Sequence, residues 1–230
     1  MDQGSSRLAA PFNDSMPDPA VLAVTRQRLH GIGECLMAGP QRRAGGRFTL
    51  RITLGGFATT GGPALRLEGT DLVVDESRRV AVAGTFAELA DAVGVDFGPP
   101  PDPYPDGSGA NASDDSSLDG PSAAIIQYWY LLTDAALRVM APRETPILWP
   151  EHFDVAILLN DTSYGSSPGD GFHPMPYAYV SSSTMNSTTQ SGTEFWNAPF
   201  GAIRSCQHVR GLDDLVTFWR AAEALLTAHD

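Results

Sequence analysis

Arg47-Phe48-Thr49-Leu50-Arg51-Ile52-Thr53-Leu54 alternates polar and apolar residues without a break. In a strand, successive side chains point to opposite faces, so Phe48, Leu50, Ile52 and Leu54 share one face and Arg47, Thr49, Arg51 and Thr53 the other. That is the pattern of a strand buried on one side and wet on the other, as antiparallel sheets allow. Working outward, Leu65–Leu67, Leu72–Val74 and Val80–Val82 read as further short strands separated by Gly, Asp and Arg turns. Upstream, Asp18-Pro19 is a helix start, Leu22, Leu29, Ile32 and Leu36 fall on one helical face, and Gly39-Pro40 reads as the stop. Downstream, Thr85 and Glu88 form a capping box that opens a helix through Val93, with Gly94 ending it.

The second half repeats the mixture. Ile125, Trp129, Leu132, Ala136 and Val139 step by four and three along a helix that ends before Pro142. Phe153–Leu159 and roughly Tyr177–Val180 read as strands, and a last helix from Leu212 buries Leu215, Val216, Trp219, Ala222 and Leu226. Strands and helices cluster without βαβ alternation, so the fold class is α+β: a mainly antiparallel sheet packed by four main helices. Residues 1–17 read as a flexible arm and 18–230 as one domain. Its halves, 18–94 and 122–230, are split by an exposed, acidic, Pro- and Gly-rich loop over 95–121. The Ser/Thr-rich stretch 181–193 reads as a mobile loop.

Composition excludes several classes. The 230 residues are 42% hydrophobic, enough for a core, and carry a net charge of −12, which lacks the basic footprint of a nucleic-acid or anionic-membrane binder. All 15 basic residues are arginine, so chemistry that needs a lysine nucleophile or a P-loop lysine is ruled out. Cys35 and Cys206 are too few for a disulfide framework or a thiolate zinc site. The N-terminus has no basic and apolar leader pattern, and a cytoplasmic location is the expectation. No cofactor is implied.

Gly165-Ser166-Ser167-Pro168-Gly169 matches the G-x-S-x-G nucleophile elbow only as a pattern. The residue after the serine must donate a backbone N–H to the oxyanion, and Pro168 has none. The region richest in chemistry runs from Trp149 through Glu151, His152 and Asp154 to Asp170, His173, Tyr177 and Tyr179. Strand alternation would put His152 and Asp154 on one face, with Asp154 orienting His152 as general acid or base. Arg26, His30 and Glu34 fall on one helical ridge, which adds His30 and Glu34 to the candidate site. A second aromatic block, Phe195-Trp196-Asn197, offers Trp196 and Asn197 as pocket walls. The expected ligand-binding set is therefore Trp149, Asp170, His173, Tyr177, Trp196, Asn197, His30 and Glu34 around His152 and Asp154. No HExxH or His-x-His motif is present, so no metal site is assigned, and metal ligation would have to draw on scattered His, Asp and Glu residues.

The motifs WPEHFD (149–154), SPGD (167–170), PYAYV (176–180) and FWNAPFGA (195–202), with GGFATT and Leu29-His30, resemble an uncharacterised, mainly actinobacterial family known only as a domain of unknown function. The resemblance implies a single α+β domain over most of the chain and carries no activity. From the residues themselves, three readings follow. The first is a small organic ligand in an aromatic, His- and Asp-lined pocket, with or without His-mediated catalysis. The second is a protein-interaction module without activity, and the third a metal-assisted enzyme.

Overall fold

The computed structural model describes residue 12 and residues 16–101, 107–182 and 194–227. Helix α1 (Pro19–Gly31) starts where Asp18 accepts the Ala20 N–H at 2.8 Å, with Pro19 in the first turn, where its missing N–H costs nothing. Gly39-Pro40 does not stop the chain. After Gly31 the helix widens into a π-helical stretch, Ile32–Ala38, and tightens again as α2 (Gly39–Arg43), with Pro40 in that helix's first turn. Five strands follow: β1 (Leu50–Thr53), β2 (Gly56–Thr59), β3 (Leu65–Glu68), β4 (Asp71–Val74) and β5 (Arg78–Ala81). The alternation over 47–54 outruns β1 at both ends, and Leu54 lies in the β1–β2 turn, 79% exposed.

Helix α3 (Phe86–Val93) carries the predicted capping box on Thr85 and Glu88 and ends at Gly94 in a left-handed turn. Helix α4 (Gly120–Met140) precedes β6 (Ile147–Trp149), β7 (Asp154–Leu159), β8 (Thr162–Ser167), β9 (Tyr177–Ser182) and β10 (Gly201–Ser205). Helix α5 (Leu212–Thr227) closes the described chain. All ten strands form one antiparallel sheet in the order β10-β9-β8-β7-β6-β1-β2-β3-β4-β5. It is two five-stranded meanders joined edge to edge, with Leu50 of β1 opposite Leu148 of β6. Each meander is preceded by helix and followed by helix, so the two halves repeat one order of elements.

Helix α4 holds the halves together. Its Gln127 donates to the Gly69 carbonyl at 2.8 Å in the first meander. Trp129 donates to the Ser167 carbonyl at 3.0 Å, and Thr133 shares a 2.6 Å hydrogen bond with Ser166, both in the second. Trp129, Tyr130, Ile126 and Leu137 are fully buried. Burying one such side chain stabilises by roughly 2–3 kcal/mol.

The described residues of the 95–121 segment mix exposed with partly buried positions and are tied down. Ser116 is buried with its hydroxyl on the Gly84 carbonyl, Phe97 packs on Phe86, and the Ser108 N–H donates to Glu34. Of the expected N-terminal arm, Phe12 is described, buried against Tyr128 and Trp129. Residues 1–11 and 13–15 lie outside the described residues, as does the Ser/Thr stretch from 183 to 193.

Candidate functional site

A cleft of about 560 Å³ opens where α1 crosses the β6–β7 turn and the segment after β8. Its walls are Ala23, Val24, Arg26, Gln27 and His30 from α1, His152 and Phe153 from the turn, and Pro168, Gly169 and Asp170. Of the expected site residues, His30, His152 and Asp170 meet here, although the two histidines are 122 positions apart in the chain.

His30 is fixed in both position and tautomer. Its Nε2 lies 2.6 Å from the Pro150 carbonyl and its ring stacks on Phe153 at 5.1 Å and 8°. A carbonyl only accepts, so Nε2 carries the proton and Nδ1 of the neutral ring keeps a lone pair. Burial lowers the His30 pKa, against an opposing pull from Glu34, so the neutral form dominates at pH 7. Phe153 holds its ring in place from a left-handed backbone, φ +52°, a conformation that costs a non-glycine residue about 1 kcal/mol. The Tyr130 hydroxyl on the Phe153 carbonyl, and edge contacts from Tyr130 and Phe57, offset that strain.

That left-handed residue also breaks the strand alternation between His152 and Asp154. β7 begins only at Asp154, and His152 stands exposed in the turn. The Asp154 carboxylate accepts a short hydrogen bond from Tyr179 on β9 rather than from His152. Its other oxygen is buried with no partner among the described residues, as is Oε2 of Glu151. Burial pushes the Asp154 carboxyl up to about 6, against the opposing effects of Tyr179 and of nearby His152. Tyr179 reaches Asp154 because Gly165 lies between them. A Cβ there would stand 2.9 Å from the Tyr179 ring and 2.6 Å from the Val155 carbonyl.

Asp170 lines the cleft but is saturated. Oδ1 accepts the N–H groups of Phe172 and His173 at 2.8 and 2.9 Å, and Oδ2 accepts the hydroxyls of Tyr177 at 2.5 Å and Ser167 at 3.4 Å. Tyr177 thus stands one residue back from the cleft, braced on Asp170. His173 sits against the Tyr177 ring with Nδ1 on the Met175 carbonyl at 2.9 Å. Arg26, one helical turn before His30, donates Nη1 to the Pro174 carbonyl at 3.0 Å. Burial lowers its pKa and the Asp170 charge raises it. Gly169, at φ +99°, leaves the room it needs: a Cβ would fall 2.5 Å from Arg26 Nη1.

Four expected residues stand elsewhere. Glu34 lies buried in the π-helical stretch, does not line the cleft, and accepts the Ser108 N–H at 2.7 Å. Trp149, on β6, packs on Phe48. Asn197 lines a separate depression beside β10 with Phe195, Arg204, His208 and Phe218, and Trp196 is buried next to it against Phe195. The Asn197 amide is structural there: it donates to the Ile203 carbonyl at 3.1 Å and accepts the Ile203 N–H at 2.8 Å, pairing the open edge of β10.

The residues that the expected site set left out are Arg26 and Tyr179, both noted in the sequence, and Tyr130. Arg26 was readable as the i−4 neighbour of His30, and Tyr179 as the residue sharing a strand face with Tyr177. Nothing local marked Tyr130. Among the described residues no three His, Cys, Asp or Glu side chains come together as metal ligands would, and no helix is long and apolar enough to cross a membrane. Comparison with protein-family profiles, with curated proteins and with solved structures yields no match in any of the three, so the site is read from its own geometry.

Proposed function

We propose that the protein binds a small organic molecule in the cleft between α1 and the β6–β7 turn, with histidine as its acid–base group. The observation that carries this reading is the convergence of His30, His152 and Asp170 from three distant segments on one concave site. The apolar walls of Val24, Phe153 and Pro168 suit the carbon skeleton of such a ligand, and His152, exposed in the turn, is placed to exchange protons with solvent. A protein-docking role draws less support. Among the described residues only Val21, Val24, Leu54, Val139, Leu158 and Phe172 are large apolar side chains left exposed, and of these Val24 lines the cleft itself.

The test is a fragment screen followed by ligand-observed NMR on His152→Ala, with His208→Ala, in the second depression, as control. Hits should collect in the α1 cleft and weaken several-fold in His152→Ala alone. Fragments that bind only elsewhere, or bind His152→Ala unchanged, would remove the reading.

A further inference from the structure

The hydrogen-bonding capacity left over in the cleft specifies its ligand. Asp170 has none to give, because both its oxygens are already filled by four donors of its own loop and of Tyr177. Arg26 is the opposite case. Only Nη1 is engaged, on Pro174, and Nε and Nη2 have no hydrogen-bond partner among the described residues. The guanidinium is half-buried in the cleft wall, where a fixed planar fork favours a carboxylate over a point anion. One turn further along α1, His30 spends Nε2–H on Pro150 and leaves Nδ1 as a bare acceptor, again without a partner among the described residues. Side chains four apart on a helix are neighbours, so a cationic donor and a neutral acceptor lie side by side.

We infer that the cleft takes a small monocarboxylate bearing a hydroxyl group, the carboxylate on Arg26 and the hydroxyl donating to Nδ1 of His30. The inference rests on the proposed small-molecule role of this cleft and narrows it. A single negative charge fits better than a phosphate dianion, because Asp170 already places one carboxylate near Arg26, the one arginine lining the cleft among the described residues. A ligand amine in its ammonium form would be drawn to Asp170 but would find no free acceptor there.

The probes are lactate, propanoate, which lacks the hydroxyl, and propane-1,2-diol, which lacks the charge. Each is titrated into the ¹⁵N-labelled full chain and followed at the amides of α1 and of residues 151–153 and 169–170. Lactate should bind about tenfold tighter than either analogue. The variant Arg26→Gln should lose most of the affinity for both carboxylates. The variant His30→Gln keeps an amide N–H where Nε2–H stood and removes the acceptor at Nδ1. It should level lactate with propanoate while still binding both.

Propanoate binding as tightly as lactate would overturn the assignment of His30, and the diol binding as tightly as lactate would overturn that of Arg26. In either case cleft binding itself would stand. If no probe and no fragment shifts any cleft amide, both the inference and the functional reading fall. The lactate, propanoate and diol series on the unmodified protein decides the matter even if a variant does not fold.

Discussion

Asp154 is a residue at which burial and charge compete directly. A carboxyl with one oxygen on Tyr179 and the other unpaired in the interior prefers to stay protonated, and its pKa rises to about 6. In the unfolded chain the same group titrates near ~3.9. The folded state therefore holds a proton that the unfolded state has released between these values, and stability falls as pH rises from about 4 to 6. Asp154→Asn removes that slope. Urea unfolding from pH 4 to 7 should show the wild type losing roughly 2–3 kcal/mol relative to the variant, and parallel curves would refute the assignment. His30 acts in the other direction: its lowered pKa stabilises above the ordinary imidazole range and is lost as pH falls, so only the difference between variant and wild type isolates Asp154. At this scale the sequence was informative about residue type and poor about partners. His30, His152 and Asp170 were legible as a chemistry-rich set. That Asp154 would serve Tyr179 was not, because one left-handed residue, Phe153, overrode the alternation on which the pairing with His152 rested.

Among the elements, β8 was hardest to read. Thr162–Ser167 is small and polar, and its last residues match a turn. It becomes a central strand because β7 and β9 pair with it along its whole length. Gly165 is the position that makes it serve the site. Alanine there would meet the Val155 carbonyl at 2.6 Å and the Ala156 Cβ at 2.8 Å, neither able to move without the strand. Gly165→Ala should destabilise by roughly 1–3 kcal/mol and detach Tyr179 from Asp154, visible as a lowered urea midpoint together with a changed pH slope. A neutral effect on both would show that the sheet yields there. Strands β3 to β5 and the capped helix α3 were legible because alternation and capping are local properties. The π-helical turn was not, since it is a matter of how the first helix fits the sheet rather than of its own residues. The two open edges illustrate the same division. Arg78 and Arg79 on β5 are a visible charged guard against pairing with another chain, whereas Asn197 guards β10 from a loop that only the fold brings alongside.

For the whole molecule, the decisive feature is the seam. The two meanders meet through a single opposed pair, Leu50 and Leu148, and α4 closes over both. A chain divided into 1–101 and 107–230 should therefore give two pieces that unfold without cooperativity alone, since the first leaves Phe57 and Leu67 without α4 and the second leaves Trp129 and Phe153 without α1. Mixed, they should form a one-to-one complex with the circular dichroism of the intact protein. Cooperative unfolding of either piece alone would show that the halves are independent. The α+β class was legible from the clustering of elements. The joining of the halves into one sheet was not, because edge pairing between β1 and β6 leaves no periodicity in the chain.

The cleft joins distant parts of the chain: α1 precedes the first meander, and the turn and loop that face it lie in the second. A molecule lodged there works as a clasp. Any ligand present at a hundred times its dissociation constant adds about 2.7 kcal/mol to the folded state. Here that increment ties the first helix to the second meander, so occupancy and the integrity of the molecule become one equilibrium.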